Sequence, residues 1–258
     1  MSSRTWLHEM NPALKFILVI VSMLSLAWFF NPWTPLIFFV GVVLLQLIFS
    51  KVNWKIWGLL MIPISFTALG YLWTTVAFAA DTSGTVIWEW RGFEVTDTQW
   101  NTALSLTFRV FAFSSMSMLF AFTTEPVKFV MSLMQQLRLS PKLAYGVMVG
   151  YQFLPVVREE FIQIRHAHRL RGIGEEKHAW QRILGMRRIL IPLLAGAVRR
   201  AERSAFAMEA RGFTGERRSV YYEPISIVGR DWLMATVIIG LLVISGIAGL
   251  LLERHWIF

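Results

Sequence analysis

The sequence predicts an all-α polytopic membrane protein, with about five transmembrane helices and a cytoplasmic domain of long amphipathic helices. Three observations predict it. Of 258 residues, 55% are hydrophobic and 16% charged, against about 45–50% and 25% in soluble domains. Five apolar runs approach the roughly 20 residues that a bilayer core requires of a helix. The net charge of +9 is confined to one section: residues 125–230 hold 18 of the 25 Lys and Arg but only 9 of the 16 acids, and the remainder is neutral. The absence of Cys excludes disulfides, thiolate metal ligands and Cys nucleophiles.

The first run covers residues 14–30. The segment that ends it, Trp28 to Pro32, has no small-residue cleavage site, so the run is expected to span rather than to be removed as a signal peptide. Residues 31–35, Asn-Pro-Trp-Thr-Pro, break it, because proline removes a helix donor and clashes with the preceding turn. The second run covers residues 36–49. After Lys51 and Lys55 the third covers residues 54–80, with Pro63 inside it; the fourth covers residues 101–123 and the fifth residues 233–252. These boundaries give a membrane domain over residues 1–123, a cytoplasmic coupling section over 124–230 and a final spanning helix over 231–258. Trp28, Trp33, Trp54, Trp57, Trp100, Trp232 and Trp256 stand at the run ends, as an interfacial aromatic belt requires.

Lys and Arg orient the chain, because positively charged loops stay inside. Arg4 precedes the first run, Lys15 stands at its start, and Lys51 and Lys55 follow the second. Residues 81–100 carry Asp81, Glu89, Glu94 and Asp97 against Arg91 alone. The amino terminus and the basic section are therefore expected in the cytoplasm, and residues 81–100 and the carboxy terminus outside. In the outer connection, residues 86–90 and 93–95 alternate about Arg91-Gly92, which fits either a hairpin or an aromatic loop resting on the bilayer. Arg109 is the one charge deep inside a run, away from its ends. Its position about three turns from the outer end favours snorkelling, or pairing with an outer acid, over an ion path.

The basic section reads as three helices. The first opens at Glu125-Pro126 with Thr124 as its N-cap and ends near Leu139-Ser140-Pro141. The second runs from Lys142 to Arg171, interrupted by Pro155. The third runs from about Arg187 to Arg211, with Leu194, Val198, Ala201, Ala205 and Met208 on one stripe. The small residues there, Ala201 and Ala205 above all, predict a close helix crossing. The two later helices end alike, in Arg171-Gly172 and Ala210-Arg211-Gly212, and each has Gly-Glu shortly after (Gly174-Glu175, Gly215-Glu216) and a proline upstream. One Arg-Gly is an ordinary helix terminator, since Gly suits the left-handed residue after a helix and Arg the negative end of its dipole. Two matching ends 40 residues apart suggest two equivalent projections and a pair of similar partners.

Here the sequence resembles the T component of energy-coupling factor (ECF) transporters, the bacterial and archaeal importers of vitamins and metal ions. The run from Arg203 to Phe213 is very similar to that family's second Ala-Arg-Gly signature. The segments Met10-Asn11-Pro12-Ala13-Leu14-Lys15, Thr123-Thr124-Glu125-Pro126, residues 137–141 and Phe153-Leu154-Pro155 are similar too. The first signature departs in placing Leu170 where a small residue is usual. The resemblance implies that Arg171, Gly172, Ala210, Arg211 and Gly212 dock into two ATP-binding-cassette ATPase subunits. It also implies a small membrane-embedded S component that captures the substrate, and membrane lipids around the whole. No cofactor is expected on this chain, ATP being bound by the partner subunits, and no nucleic acid.

Three other classes fit less well. A substrate-binding secondary transporter, or an ordinary ABC permease subunit, needs a polar lining that the runs do not offer beyond Arg109 and scattered Ser and Thr. An enzyme needs a reacting constellation. His166 and His168 are two apart, on different helix faces, and no Gly-x-x-x-x-Gly-Lys-Ser/Thr occurs, so neither a metal site nor ATP hydrolysis by that route is expected. A basic surface binder suits anionic lipid at about 1 kcal/mol per residue, but does not require duplicated helix ends.

Overall fold

A computed structural model describes residues 6–50, 52–78, 85–90, 93–172, 179–217 and 220–256, without the side chains of 87–90, 93–94, 179–184 and 253–256. In chain order the elements are α1 (Trp6–Glu9), α2 (Pro12–Trp28), α3 (Trp33–Phe49), α4 (Trp54–Ala77), β1 (Val86–Trp90), β2 (Phe93–Thr96), α5 (Asp97–Thr123), α6 (Pro126–Gln136), α7 (Pro141–Leu170), α8 (Ala179–Ala210) and α9 (Gly229–Trp256). The chain forms two compact units. One comprises Met1–Phe129 with Ile225–Phe258, the other Val130–Pro224. Lys51, Asp81, the Arg91-Gly92 turn and Gly174-Glu175 lie outside the described residues.

The first unit is a helical bundle with apolar outer surfaces. Helices α4, α5 and α9 are long and apolar enough to cross a bilayer, while α2 and α3 are apolar helices of 17 residues each. At 1.5 Å per residue, 17 residues extend about 25 Å, the short end of the spanning range. Leu18, Leu26, Phe38, Val42, Met116, Leu119 and Ile238 meet in the interior, drawn from α2, α3, α5 and α9. The outward faces of α2, α3, α4 and α9 carry exposed Leu24, Leu47, Leu59, Phe66, Ile244 and Leu251, the pattern of helices solvated by lipid. Trp28, Trp100 and Trp232 are exposed near helix ends.

Polar side chains inside this bundle bond to backbone, as burial demands. The Gln46 amide donates to the Ser115 carbonyl at 2.7 Å, and the Ser105 hydroxyl donates to the Asn31 carbonyl at 3.2 Å. Small residues set the closest contacts. Ala68 and Ala103 are fully buried, and a Cβ on Gly249 would fall 2.0 Å from Thr34 Oγ1, so α9 lies against the start of α3. The break between α2 and α3 is tighter than the proline pair suggests. Helix α3 begins at Trp33, which puts Pro35 in its first turn, where a missing N–H costs nothing. Residues 86–96 do form a hairpin, with Trp90 opposite Phe93, Glu89 opposite Glu94 and Trp88 opposite Val95. It runs directly into α5, where the Gln99 side chain accepts from the Thr96 amide at 3.1 Å.

One end of the bundle is tied by buried polar groups. Lys15 belongs to α2 and is fully buried, although its charge reads in sequence as a flank at the start of the first run. Its ammonium donates to Leu7 O (2.7 Å), Thr123 O (3.1 Å) and Thr123 Oγ1 (3.0 Å), joining α1, α2 and α5. Asn11 caps α2 through Oδ1, which accepts from the Ala13 and Leu14 amides. The Asn11 amide in turn donates to Asp231 Oδ1 at 3.2 Å, and the Val228 amide donates to Asp231 Oδ2 at 2.9 Å, so the entries to α2 and α9 share one carboxylate. Burial, with the nearby Lys15 charge, holds the His8 imidazole below its ordinary pKa. Arg109 reaches toward the other end of α2. Its guanidinium donates to the Phe29 carbonyl, just past the end of α2, and lies 5.8 Å over the Phe30 ring.

Two outcomes follow. Lys15→Met should lower the melting temperature of the detergent-purified protein, by at least the roughly 1–3 kcal/mol of one stranded buried acceptor, whereas Leu59→Met on the exposed face should not. For the orientation expected from Lys and Arg, cysteine at the exposed Val86 should react with an impermeant maleimide in intact cells, and cysteine at the exposed Glu202 only after permeabilisation.

Candidate functional site

The second unit is built on α7 and α8. Helix α7 starts with Pro141 at its first position and continues for 30 residues through Pro155; α8 continues for 32 residues through Pro192. Neither proline ends its helix, although Pro155 reads in sequence as an interruption. Helix α8 also starts earlier than its apolar stripe suggests, at Ala179 rather than near Arg187. The N-cap expected at Thr124 is displaced as well. Pro126 occupies the first position of α6, which puts Glu125 at the cap, where its carbonyl accepts from the Phe129 amide at 2.9 Å.

Helices α7 and α8 run antiparallel. Glu160 pairs with Arg200, whose guanidinium lies 5.9 Å over the Phe153 ring. Farther along, the His168 ring bonds the Arg188 carbonyl at 3.3 Å, and beyond the end of α8 the Phe213 ring meets Tyr145 edge-on at 5.2 Å. The side of α8 turned to its neighbours is Ile189, Leu193, Gly196, Arg200 and Ser204, each partly covered. This corrects the expected crossing at Ala201 and Ala205. Both are exposed, as are Leu194 (61%) and Val198 (57%) on the same stripe. The salt-bridged face holds α8 on α7, and the small-residue stripe is left uncovered by this chain's described residues.

The two arginine ends share one backbone geometry. Arg171 is the C-cap of α7, its amide bonding the His168 carbonyl at 3.1 Å, and Gly172 follows with φ +70° and its amide on the Arg169 carbonyl at 3.0 Å. At the other end the Arg211 amide bonds the Met208 carbonyl at 3.1 Å, and Gly212 has φ +79° with its amide on the Glu209 carbonyl at 2.9 Å. The Phe213 amide returns to the Met208 carbonyl at 3.0 Å, which completes a Schellman motif. Arg171, Gly172, Ala210, Arg211 and Gly212 are all exposed, and Leu170 is 91% exposed. Because Phe213 rests on Tyr145, the Arg211 end lies beside the start of α7. Arg171 is 26 residues farther along that helix, roughly 40 Å away at 1.5 Å per residue. The site residues read from sequence therefore form two separate tips, one at each end of an antiparallel pair.

An exposed guanidinium offers five donors in a planar fork that suits a carboxylate or clustered carbonyls, and a glycine behind it leaves room for a partner surface. No group of three or more His, Asp or Glu is placed to hold a metal ion among the described residues. The polar knot of Asn11, Lys15 and Asp231 escaped sequence reasoning. Its one visible signal was a lysine four residues into an apolar run just after Asn-Pro.

A bundle with lipid-type outer faces, joined to a basic helical unit with two exposed arginine tips, defines a membrane component that is built to engage other proteins. Comparison with known proteins gives the family. The cobalt transport protein (CbiQ) family matches residues 3–222, and the chain belongs to that family. It is 27% identical over 246 residues to the energy-coupling factor transporter transmembrane protein EcfT of Streptococcus thermophilus, covering 92% of each chain. It is likewise 27% identical over 257 residues to the protein of that name from Lacticaseibacillus paracasei, covering 96% of this chain and 94% of the relative. The Brevibacillus brevis protein of that name is 25% identical over 259 residues, covering 94% of each. The chain is thus EcfT-like along nearly its whole length, a membrane-located transport component.

The left-handed glycines carry a checkable cost. Gly212→Ala should destabilise the α8 end by about 1–2 kcal/mol, the penalty for a side chain in that conformation, and Gly212→Asn by less. Amide exchange at Phe213, whose bond closes the motif, should quicken in that order.

Proposed function

We propose that this chain is the non-catalytic coupling subunit of an ECF-type ABC importer, passing ATP-driven motion from two ATPase subunits to a substrate-binding S component. The observation that carries the proposal is the pair of matching tips. Two helices end in the same geometry, each with an exposed arginine before a left-handed glycine, at opposite ends of one antiparallel pair. Tips roughly 40 Å apart suit two separate copies of a similar partner better than one. The names of the relatives support an energy-coupling factor transporter, and the cobalt transport family supports a metal ion as an imported solute.

In this reading residues 124–230 face the cytoplasm as the coupling domain, residues 1–123 and 231–258 lie in the bacterial or archaeal cell membrane, and the C-terminus is outside. Arg171 and Arg211 each enter a groove on one ATPase, where a guanidinium makes a bidentate pair with a carboxylate and bonds nearby carbonyls. ATP stays on the ATPases, so this chain needs no cofactor. Closure of the ATPases moves the tips, the long helices carry the displacement, and the membrane bundle transmits it to the S component. The uncovered stripe of Leu194, Val198, Ala201 and Ala205 offers an apolar face to such a neighbour.

The test is the alanine series. Removing one desolvated arginine contact costs about 2–5 kcal/mol, so Arg171→Ala and Arg211→Ala should each impair uptake of radiolabelled cobalt(II) or of a labelled B-vitamin panel, whichever the wild-type complex imports. The double variant should lose the ATPases on purification, and Arg→Lys should rescue poorly because an ammonium lacks the planar fork. Wild-type retention and uptake in the double variant would sink the assignment.

A further inference from the structure

Past Gly212 the chain does not simply leave the α8 tip. Residues 213–217 fold back along the corner between α6 and α7 and are held there at three points, and Glu223 makes a fourth contact. The Phe213 ring meets Tyr145. Gly215, with φ +75°, lies so close to Lys142 that a Cβ would fall 2.4 Å from its Cε. The Arg217 guanidinium donates to the carbonyls of Met134 (2.9 Å) and Gln135 (3.3 Å), and the Gln135 side chain donates to the Glu223 carbonyl at 3.0 Å.

The carbonyls that Arg217 takes belong to the last turn of α6, which no following helical amide can satisfy. That turn closes unusually. Arg138 holds φ +57°, a conformation costly for a residue other than glycine, and the Leu139 amide reaches back to the Leu133 carbonyl at 3.2 Å. A strained corner of this kind persists where its surroundings over-determine it, and the returning loop supplies that constraint. Chain connectivity gives the corner its importance. The backbone passes between the two compact units only at 129–130, within α6, and at 224–225, just beyond Glu223. Arg217 links the segment that leaves the Arg211 tip to α6, the helix that contains the first of these passages.

Resting on the coupling reading above, we infer that Arg217 is a positioning residue that makes residues 213–217 a strut, so that displacement of the Arg211 tip turns α6 directly rather than only bending α8. Arg217 does not itself dock: its guanidinium is engaged with α6. A guanidinium spans two adjacent carbonyls, whereas an ammonium approaches them as a point donor, so Lys in its place should transmit partially.

The experiment uses the complete complex, co-expressed with its ATPase and S subunits, and the uptake probes named above. Arg217→Ala should retain the ATPases at the wild-type level and still allow the complex to hydrolyse ATP, while uptake falls by about tenfold or more, the scale of a lost coupling free energy. Arg217→Lys should recover part of the uptake. The chain has no native Cys, so Gln135→Cys with Glu223→Cys, bridged by a short bifunctional thiol reagent, can replace the tether and should restore uptake to Arg217→Ala. Undiminished uptake in Arg217→Ala overturns the strut. Loss of the ATPases to the extent seen with Arg211→Ala overturns it too, by placing Arg217 in the docking surface, and so does failure of the bridge to rescue. Failure of the coupling reading has a different signature, since it appears in the Arg171 and Arg211 double variant as retained ATPases and uptake.

Discussion

The buried ammonium of Lys15 is the contact on which the membrane bundle depends. An ion in an apolar interior is tolerable only where oxygens replace its water, and here they come from Leu7, Thr123 and Thr124, that is, from α1 and from the end of α5. The position of each group is therefore set by the others. Asn11, four residues before Lys15, uses its side chain to begin α2 and its amide to hold Asp231. The entry to α2, the exit from α5 and the entry to α9 are fixed within one network.

Much of this fold was legible because membranes impose coarse rules. Length and hydropathy located the apolar helices, and the turn chemistry of Arg91-Gly92 with its flanking alternation admitted the hairpin that residues 86–96 form. The chain termini of α7 and α8 were readable because glycine after arginine has a specific backbone meaning, and Gly172 and Gly212 adopt it. Reading failed where a residue type has two opposite uses. Lys15 reads as a cytoplasmic flank by charge, yet it is a core residue by contact. Ala201 and Ala205 read as a crossing by size, yet among the described residues α7 and α8 meet on the face of Gly196 and Arg200. Sequence spacing identifies a stripe but not what covers it.

The two units differ in what holds them. The membrane bundle relies on tight small-residue contacts and on polar groups sealed away from lipid, whereas the basic unit relies on a few long-range polar links and leaves large apolar side chains uncovered, among them Leu190, Leu194 and Phe206. A pair of long helices with sparse mutual packing is stiff along its axes and compliant between them. That combination suits elements that must carry displacement from end to end.

The lodging of α9 against α3, with Gly249 pressed on Thr34, has a consequence for biogenesis. About a hundred residues separate the end of α5 from the start of α9, which at about 5–20 residues per second is roughly 5–20 s of synthesis. During that interval α3 sits in the bilayer with its α9-facing groove open, and the Asn11 amide awaits Asp231. The bundle is thus completed by its last-made helix, and a nascent chain halted within the basic unit has a membrane domain that is inserted but unsealed. Quality control that senses an open intramembrane groove would act on this protein until late in its synthesis, when α9 has been made.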